Sequence, residues 1–410
     1  MKTKKIRNKR NGSGSLVVLL IIFFSLAVAG CGLFESDNPG SILADDINDA
    51  STIPFLVNGQ KNELALQLDV AVIYSGLLAD ELIHSGSYPT WREMSNGDVK
   101  EDNGDVGGIW AGLQRSRFLG DDNVPRMKEL LGEAAASDVN VASALNYSGY
   151  AYLLFAEIFE RAAYNTGPEV SRAGSFQLAI DRFTEAAAVA SAGGHSTQLD
   201  LAYVGLARAQ LMLGNYQAAL ATANQVTPGF EFFINYDAQN SNSVFFFNHR
   251  RAEYSIREPF WNTGDPRVVV EYTGGPGADN ETPQYLQQKY NDDISPIRLA
   301  SGMEAILIAA EAQNETGDQS GAIASINFVR QNAGLGNYEG ANTYEAVRDA
   351  IRLERKYELF LEGKRLNDLR RYRDDGDAES VAFFQNRISD ALPLPDSEYR
   401  TNPNVGPKDR

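Results

Sequence analysis

The sequence predicts a mostly α fold of paired helices, interrupted once by an irregular, partly β insertion. Three observations carry this. From Val141 to Val226 the chain is alanine-rich, with apolar residues recurring at helical spacing. Small residues and glycines return at matching offsets in two stretches about a hundred residues apart. Residues 227–297 lose the helical period and turn rich in Phe, Tyr, Asn, Gly and Pro.

The elements follow in order. Glu63 to Ile83 places Leu64, Leu68, Ala71, Val72, Leu78 and Leu82 on one helix face. His84 to Asp105 reads as a polar loop holding Tyr88 and Trp91. Helical spacing returns over Ile109 to Leu131, with Trp110, Leu113, Phe118, Met127 and Leu130 expected in the core. Four helices are expected next, at Ser143 to Ala163, Phe176 to Ala190, Asp200 to Leu213 and Tyr216 to Val226. Inside the insertion, Phe245, Phe246 and Phe247 read as a buried strand. Helices are expected again at Ile297 to Asn314, Asp318 to Asn332, Tyr344 to Glu362 and Arg365 to Arg373. The tail from Ala391 is expected to pack back as extended chain.

Tyr203, Leu206, Ala207, Gly214, Tyr216 and Ala219 fall at tetratricopeptide (TPR) offsets, and Ile306, Ala310, Gly317, Ala322, Ile326 and Val329 repeat them. Small side chains let two antiparallel helices approach, and Gly214 suits a left-handed helix end. A third pair is expected from Tyr147 to Ala156 with Phe176, Ala179, Phe183 and Ala186.

The first thirty residues differ from the rest. Six bases and no acid precede an apolar run from Leu16 to Ala29, and Val28-Ala29-Gly30 lead into Cys31, the one cysteine among 410 residues. A basic start and a short apolar run form a secretory signal. Small residues before a lone cysteine resemble the lipobox of bacterial lipoproteins, which implies cleavage before Cys31 and lipidation of its thiol. The expected organisation is a signal over residues 1–30, a flexible tether over 31–51 and one helical domain over 52–410. The formal charge of −17 falls to −23 when the leader's six bases go. Such a surface repels phosphate backbones and argues against nucleic acid as a partner. It also leaves the lipid as the only expected contact with a membrane.

No catalytic constellation stands out. His84, His195 and His249 are widely separated and lack metal-ligand spacing. Asp98, Asp102, Asn103 and Asp105 fail the calcium-loop template. Neither a metal nor a cofactor is expected.

The most charged segment, Arg352 to Arg371, puts Glu354, Glu358 and Glu362 on one helix face, with Leu353, Tyr357 and Phe360 toward the core and Arg365 within reach of Asp368. On spacing alone this reads as structural ion pairing on a solvated face. The segment also resembles the C-terminal signature of the SusD/RagB family, through Glu354-Arg355, Glu358-Leu359, Glu362-Gly363, Arg365 and Asp368-Leu369-Arg370-Arg371. Gly264-Asp265-Pro266-Arg267, Ile297-Arg298-Leu299-Ala300, Leu394-Pro395 and Asp80-Glu81 are similar to further motifs of that family. The resemblance implies a TPR-like scaffold and a non-enzymatic lipoprotein of the outer membrane, held at the cell surface. It would capture an oligosaccharide, or another polymer-derived nutrient, and pass it to a SusC-like TonB-dependent transporter. It also implies that ligand aromatics come from the loop after the first helix and from the mid-chain insertion. The candidates there are Tyr88, Trp91 and Arg92, then Trp261 with Asn262. The competing reading is a TPR scaffold lipoprotein that organises an envelope complex and takes no small ligand.

Overall fold

The computed structural model describes residues 46–406. Cys31, the leader and most of the expected tether lie outside the described residues. The elements below belong to the unit from Asp49 onward.

Helix α1, Ile53–Leu78, starts ten residues earlier than its apolar period suggests, with Pro54 in its first turn, where a missing N–H leaves no bond unmade. It ends at Leu78, and Leu82 belongs instead to strand β1, Leu82–His84. The expected polar loop contains a short helix, α2, Pro89–Asn96, closed by Gly97 in the left-handed region. The half-buried Arg387 closes both helices. It donates to the carbonyls of Leu77 and Leu78 at the end of α1 and of Met94 and Ser95 near the end of α2. These carbonyls are the negative ends of two helix dipoles and stand in for a carboxylate. Burial, with Arg257 alongside, still pushes the Arg387 guanidinium down to about 10.

Helix α3, Gly104–Leu131, is capped by Asn103, whose side chain accepts from Asp105 and Val106 N–H. Trp110, Leu113 and Met127 are buried as expected, whereas Phe118 is 53% exposed, which corrects its placement in the core. Helix α4, Val139–Ile158, is buried on all sides from Val141 on and packs against α1, α3, α5 (Arg172–Gly193) and α6 (Ser196–Met212). The helix expected to Ala163 stops at Ile158, and Arg161–Ala163 form β2, paired with β3, Glu169–Ser171. Gly149 of α4 and Gly205 of α6 both face the ring of Phe183 from α5. The aromatic side chain fills the space that the two missing Cβ atoms leave, and three helices meet on it. Helix α7, Tyr216–Ala223, completes the second pair, and Gly214 takes a φ of 72° at the turn.

The insertion is irregular and partly β. Strand β4, Glu231–Ile234, pairs with β8, Ile297–Ser301; β5, Tyr254–Ile256, pairs with β1; and β6, Val270–Pro276, pairs with β7, Pro283–Gln287, all antiparallel. Phe245, Phe246 and Phe247 are not a strand. Asn242 caps a helical turn at Ser243–Phe245 that runs on through Phe246–Arg250. The helix expected from Ile297 is likewise split. Its first five residues are β8, and Ser301 then caps α8, Gly302–Glu315, by accepting from Glu304 N–H. Helices α9, Gln319–Asn332, α10, Tyr344–Glu358, α11, Arg365–Asp374, and α12, Ala378–Phe384, follow. In the tail, Leu392 pairs in parallel with Phe159, and Asp396–Thr401 form a last short helix, α13.

The charged signature is buried rather than solvated. Glu354 is 2% and Glu362 4% exposed, while Leu353, expected in the core, is 44% exposed. The helix stops at Glu358, so Glu362 reaches its partners from a turn. There Leu361 takes a φ of 53° and Gly363 one of 76°. Glu354 meets Arg267 and Arg330, and Glu362 meets Lys289, Arg298 and Lys364. Arg365 does not pair with Asp368. It clamps Asp80 with two bonds of 2.8 and 2.7 Å, and Asp368 is clamped by Arg355 and bonded by Arg371. Beside Asp80, Glu81 accepts the Leu361 N–H at 2.8 Å, and Tyr290 donates to the Leu361 carbonyl at 2.9 Å. These two bonds hold a leucine in a conformation it rarely adopts. Asp80-Glu81 and the charged signature are thus joined across some 280 residues of sequence.

Candidate ligand-binding site

Strand β5 anchors the site. Its register partner on one side is β1, with Ile83 opposite Ser255. On the other side no ladder forms. The Ser255 hydroxyl instead accepts from Tyr285 N–H at 2.8 Å and donates to the Pro283 carbonyl at 2.7 Å, and the Gln284 amide donates to the Tyr254 carbonyl at 3.0 Å, so β5 and β7 are joined through two side chains. Trp261, just beyond β5, donates its indole N–H to the Ile256 carbonyl at 2.7 Å. Two aromatic rings are therefore held by hydrogen bonds to neighbouring residues of one strand.

Those rings stack. Trp261 and Tyr285 lie 3.9 Å apart between centroids at 13°, and Tyr272 lies 4.9 Å from Tyr285 at 30°. Tyr272 and Tyr285 are register partners across β6 and β7, so they share a face. Tyr285 is the middle ring, covered on both sides. The outer rings are Trp261, half-buried, and Tyr272, 50% exposed. Asn262, exposed beside Trp261, takes a φ of 50°. The next turn is fixed by Arg267, which bonds Asp265 and reaches Glu354 of α10 at 2.7 Å. A flat, partly solvated ring on a rigid mount suits the C–H face of a sugar, with the adjacent amide suited to hydroxyls.

The other predicted segment is placed differently. Trp91 is 4% exposed, edge-on to Tyr74, Tyr88 and Phe247. Burial this complete leaves it no ring face for a ligand. Tyr88 is half-buried and Arg92 exposed. Their loop is pinned by Ser87, whose N–H donates to Glu253 at 2.7 Å, and Ser85 contacts the β6–β7 turn through the Asp279 N–H. The two predicted segments therefore border one layer of strands, with no ring contact between Trp91 and Trp261. Sequence reasoning missed Tyr272 and Tyr285. Their signal was the spacing of two short aromatic strands around Gly274-Gly275, which the absence of a helical period had merged into one irregular stretch.

Among the described residues, no group of His, Cys, Asp or Glu is placed to hold a metal, and no helix is long and apolar enough to cross a membrane.

Residues 277–406 match the model of the SusD family. A SusD superfamily protein of Bacteroides thetaiotaomicron VPI-5482 superposes with a TM-score of 0.69 at 17% identity, over 88% of this chain and 100% of that one. The chain has a SusD-like fold. A SusD-like carbohydrate binding protein of Bacteroides vulgatus ATCC 8482 aligns at a TM-score of 0.64 and 17% identity, covering 78% and 83%. A laminarin binding SusD-like protein aligns at 0.66 and 14%, covering 85% and 98%. No curated protein sequence matches this chain. The match over residues 277–406 contains β8, the paired helices α8 to α11 and the buried charged signature.

Proposed function

We propose that this SusD-like chain is a non-enzymatic carbohydrate-binding lipoprotein. It is anchored to the outer membrane through lipid on Cys31, faces the cell exterior, and passes captured oligosaccharide to a SusC-like TonB-dependent transporter. The observation that carries the reading is Tyr272, an exposed ring at the end of a braced aromatic stack. Two neighbours of the same fold are named for binding carbohydrate and laminarin. Tyr272 and Trp261 offer the stacking faces, with Asn262, Arg92 and Tyr88 as the polar and aromatic surround.

The test is calorimetric titration of the purified chain with soluble glycans, laminarin oligosaccharides among them. Tyr272→Ala is expected to weaken binding about tenfold, a stacked ring contributing roughly 1 kcal/mol or more beyond its buried area. Tyr272→Phe is expected to retain binding. Equal affinity in wild type and Tyr272→Ala overturns the site. Absence of binding to every glycan, together with co-purification of envelope proteins other than a transporter, favours the scaffold reading.

A further inference from the structure

A cleft of about 440 Å3 is built from α10, α11 and the turn into α12, none of which carries the aromatic hairpin. Its wall includes Arg348, Arg352, Lys356, Arg365, Tyr372 and Asp377. Most of these charges are already paired. Arg348 bonds Asp349, Arg352 bonds Asp377 at 3.0 Å, and Arg365 clamps Asp80.

Three donors of residues that line this wall are left over. The Tyr372 side chain is 3% exposed, and its hydroxyl has no hydrogen-bond partner. The Arg352 guanidinium stands 4.2 Å from the centre of that ring, and its Nε is also without an acceptor. Among the described residues Lys356 makes no hydrogen bond. Its nearest carboxylate is Asp80 at 4.0 Å, which Arg365 already engages twice. Its ammonium rests instead over the Phe260 ring at 4.9 Å. Burial, partly offset by Asp80, lowers the Lys356 pKa, as expected of a cation short of counter-charge. Buried polar groups are ordinarily satisfied, and three unmet donors belong to residues that line this one cleft. Glu379, the lining carboxylate with no cation within bonding distance, is exposed and supplies none of the three.

We propose that this cleft binds a small molecule through an oxyanion, a carboxylate or a sulfate, with Lys356, Arg352 Nε and the Tyr372 hydroxyl as its donors. An oxyanion accepts from several donors at once, and such charge-assisted bonds are roughly twice as strong as neutral ones. Entry requires a rotamer change of Arg352, because its Nε is covered; such changes are common on binding.

The test is titration of the purified chain at low salt with sodium glucuronate, glucose and sodium sulfate. Glucuronate is expected to bind and to lose at least tenfold in affinity in Lys356→Gln. Tyr372→Phe is expected to lose about fivefold while its melting temperature holds or rises, because it removes an unpartnered buried hydroxyl. Both variants are expected to bind neutral glycan at the aromatic hairpin as the wild type does, which keeps this site distinct from that one. Sulfate binding as tightly as glucuronate supports the oxyanion site and removes the sugar as its carrier. Undiminished affinity in both variants, or no binding of either anion at millimolar concentration, overturns the proposal.

Discussion

Glu81 is fully buried, with one carboxyl oxygen bonded to Leu361 N–H and the other without a partner. Burial pushes its carboxyl from 4.5 up to about 7. An acid with a raised folded value binds more protons folded than unfolded between those two values. Its contribution is therefore full below about pH 4.5 and is lost as pH rises through about 7. Glu81→Gln, which keeps the bond to Leu361 and cannot ionise, is expected to match wild type in urea unfolding near pH 4.5. At pH 8 it is expected to exceed wild type by about 1–3 kcal/mol. A constant difference between the two proteins across that range contradicts the assignment. Asp80, next in sequence, goes the other way. Burial alone would raise it, and the Arg365 clamp holds it below its ordinary value. Sequence could pair Asp80 and Glu81 as a motif, but not show that their partners sit some 280 residues away, since that distance is closed only by the fold.

At the scale of elements, the hairpin helices were legible because small residues and glycines recur at fixed offsets. Their packing tests the reason. A Cβ at Gly205 would run into the Phe183 ring, so Gly205→Ala is expected to cost about 1–3 kcal/mol in thermal or urea unfolding, despite alanine's better helix propensity. No loss, or a gain, removes the close approach as the reason for the glycine. Strand β8 was not legible. Ile297 to Ala300 is apolar enough for either structure, and only pairing with β4 and the Ser301 cap decide it. Within it, Arg298 donates to both Glu358 and Glu362. Arg298→Ala strips a cation from two buried carboxylates and is expected to destabilise by about 3–5 kcal/mol in urea unfolding. A loss under 1 kcal/mol would put those charges in solvent.

For the whole molecule, helical content and the position of the insertion followed from periodicity and composition. The site followed less well, because a tryptophan in a polar segment looks the same whether its ring is buried, as in Trp91, or half-open, as in Trp261. The closing tail tests how far the fold depends on its ends. Leu392 and Leu394 are fully buried, Leu392 bonds Ile158, and Glu398 accepts from the Trp110 indole. Deleting residues 391–410 is expected to cost at least about 3 kcal/mol and to increase binding of a hydrophobic dye. An unchanged melting temperature would make the tail dispensable. The Ser255 link has a wider consequence. A continuous ladder would transmit any slip in β6 and β7 into β5 and the helices behind it, whereas the Ser255 hydroxyl and the Gln284 amide hold only the start of β7. Tyr272, half-exposed on β6, is outside those bonds, so another ring can stand there while the body keeps its packing. The character of the exposed ring and the stability of the body are then separately heritable traits.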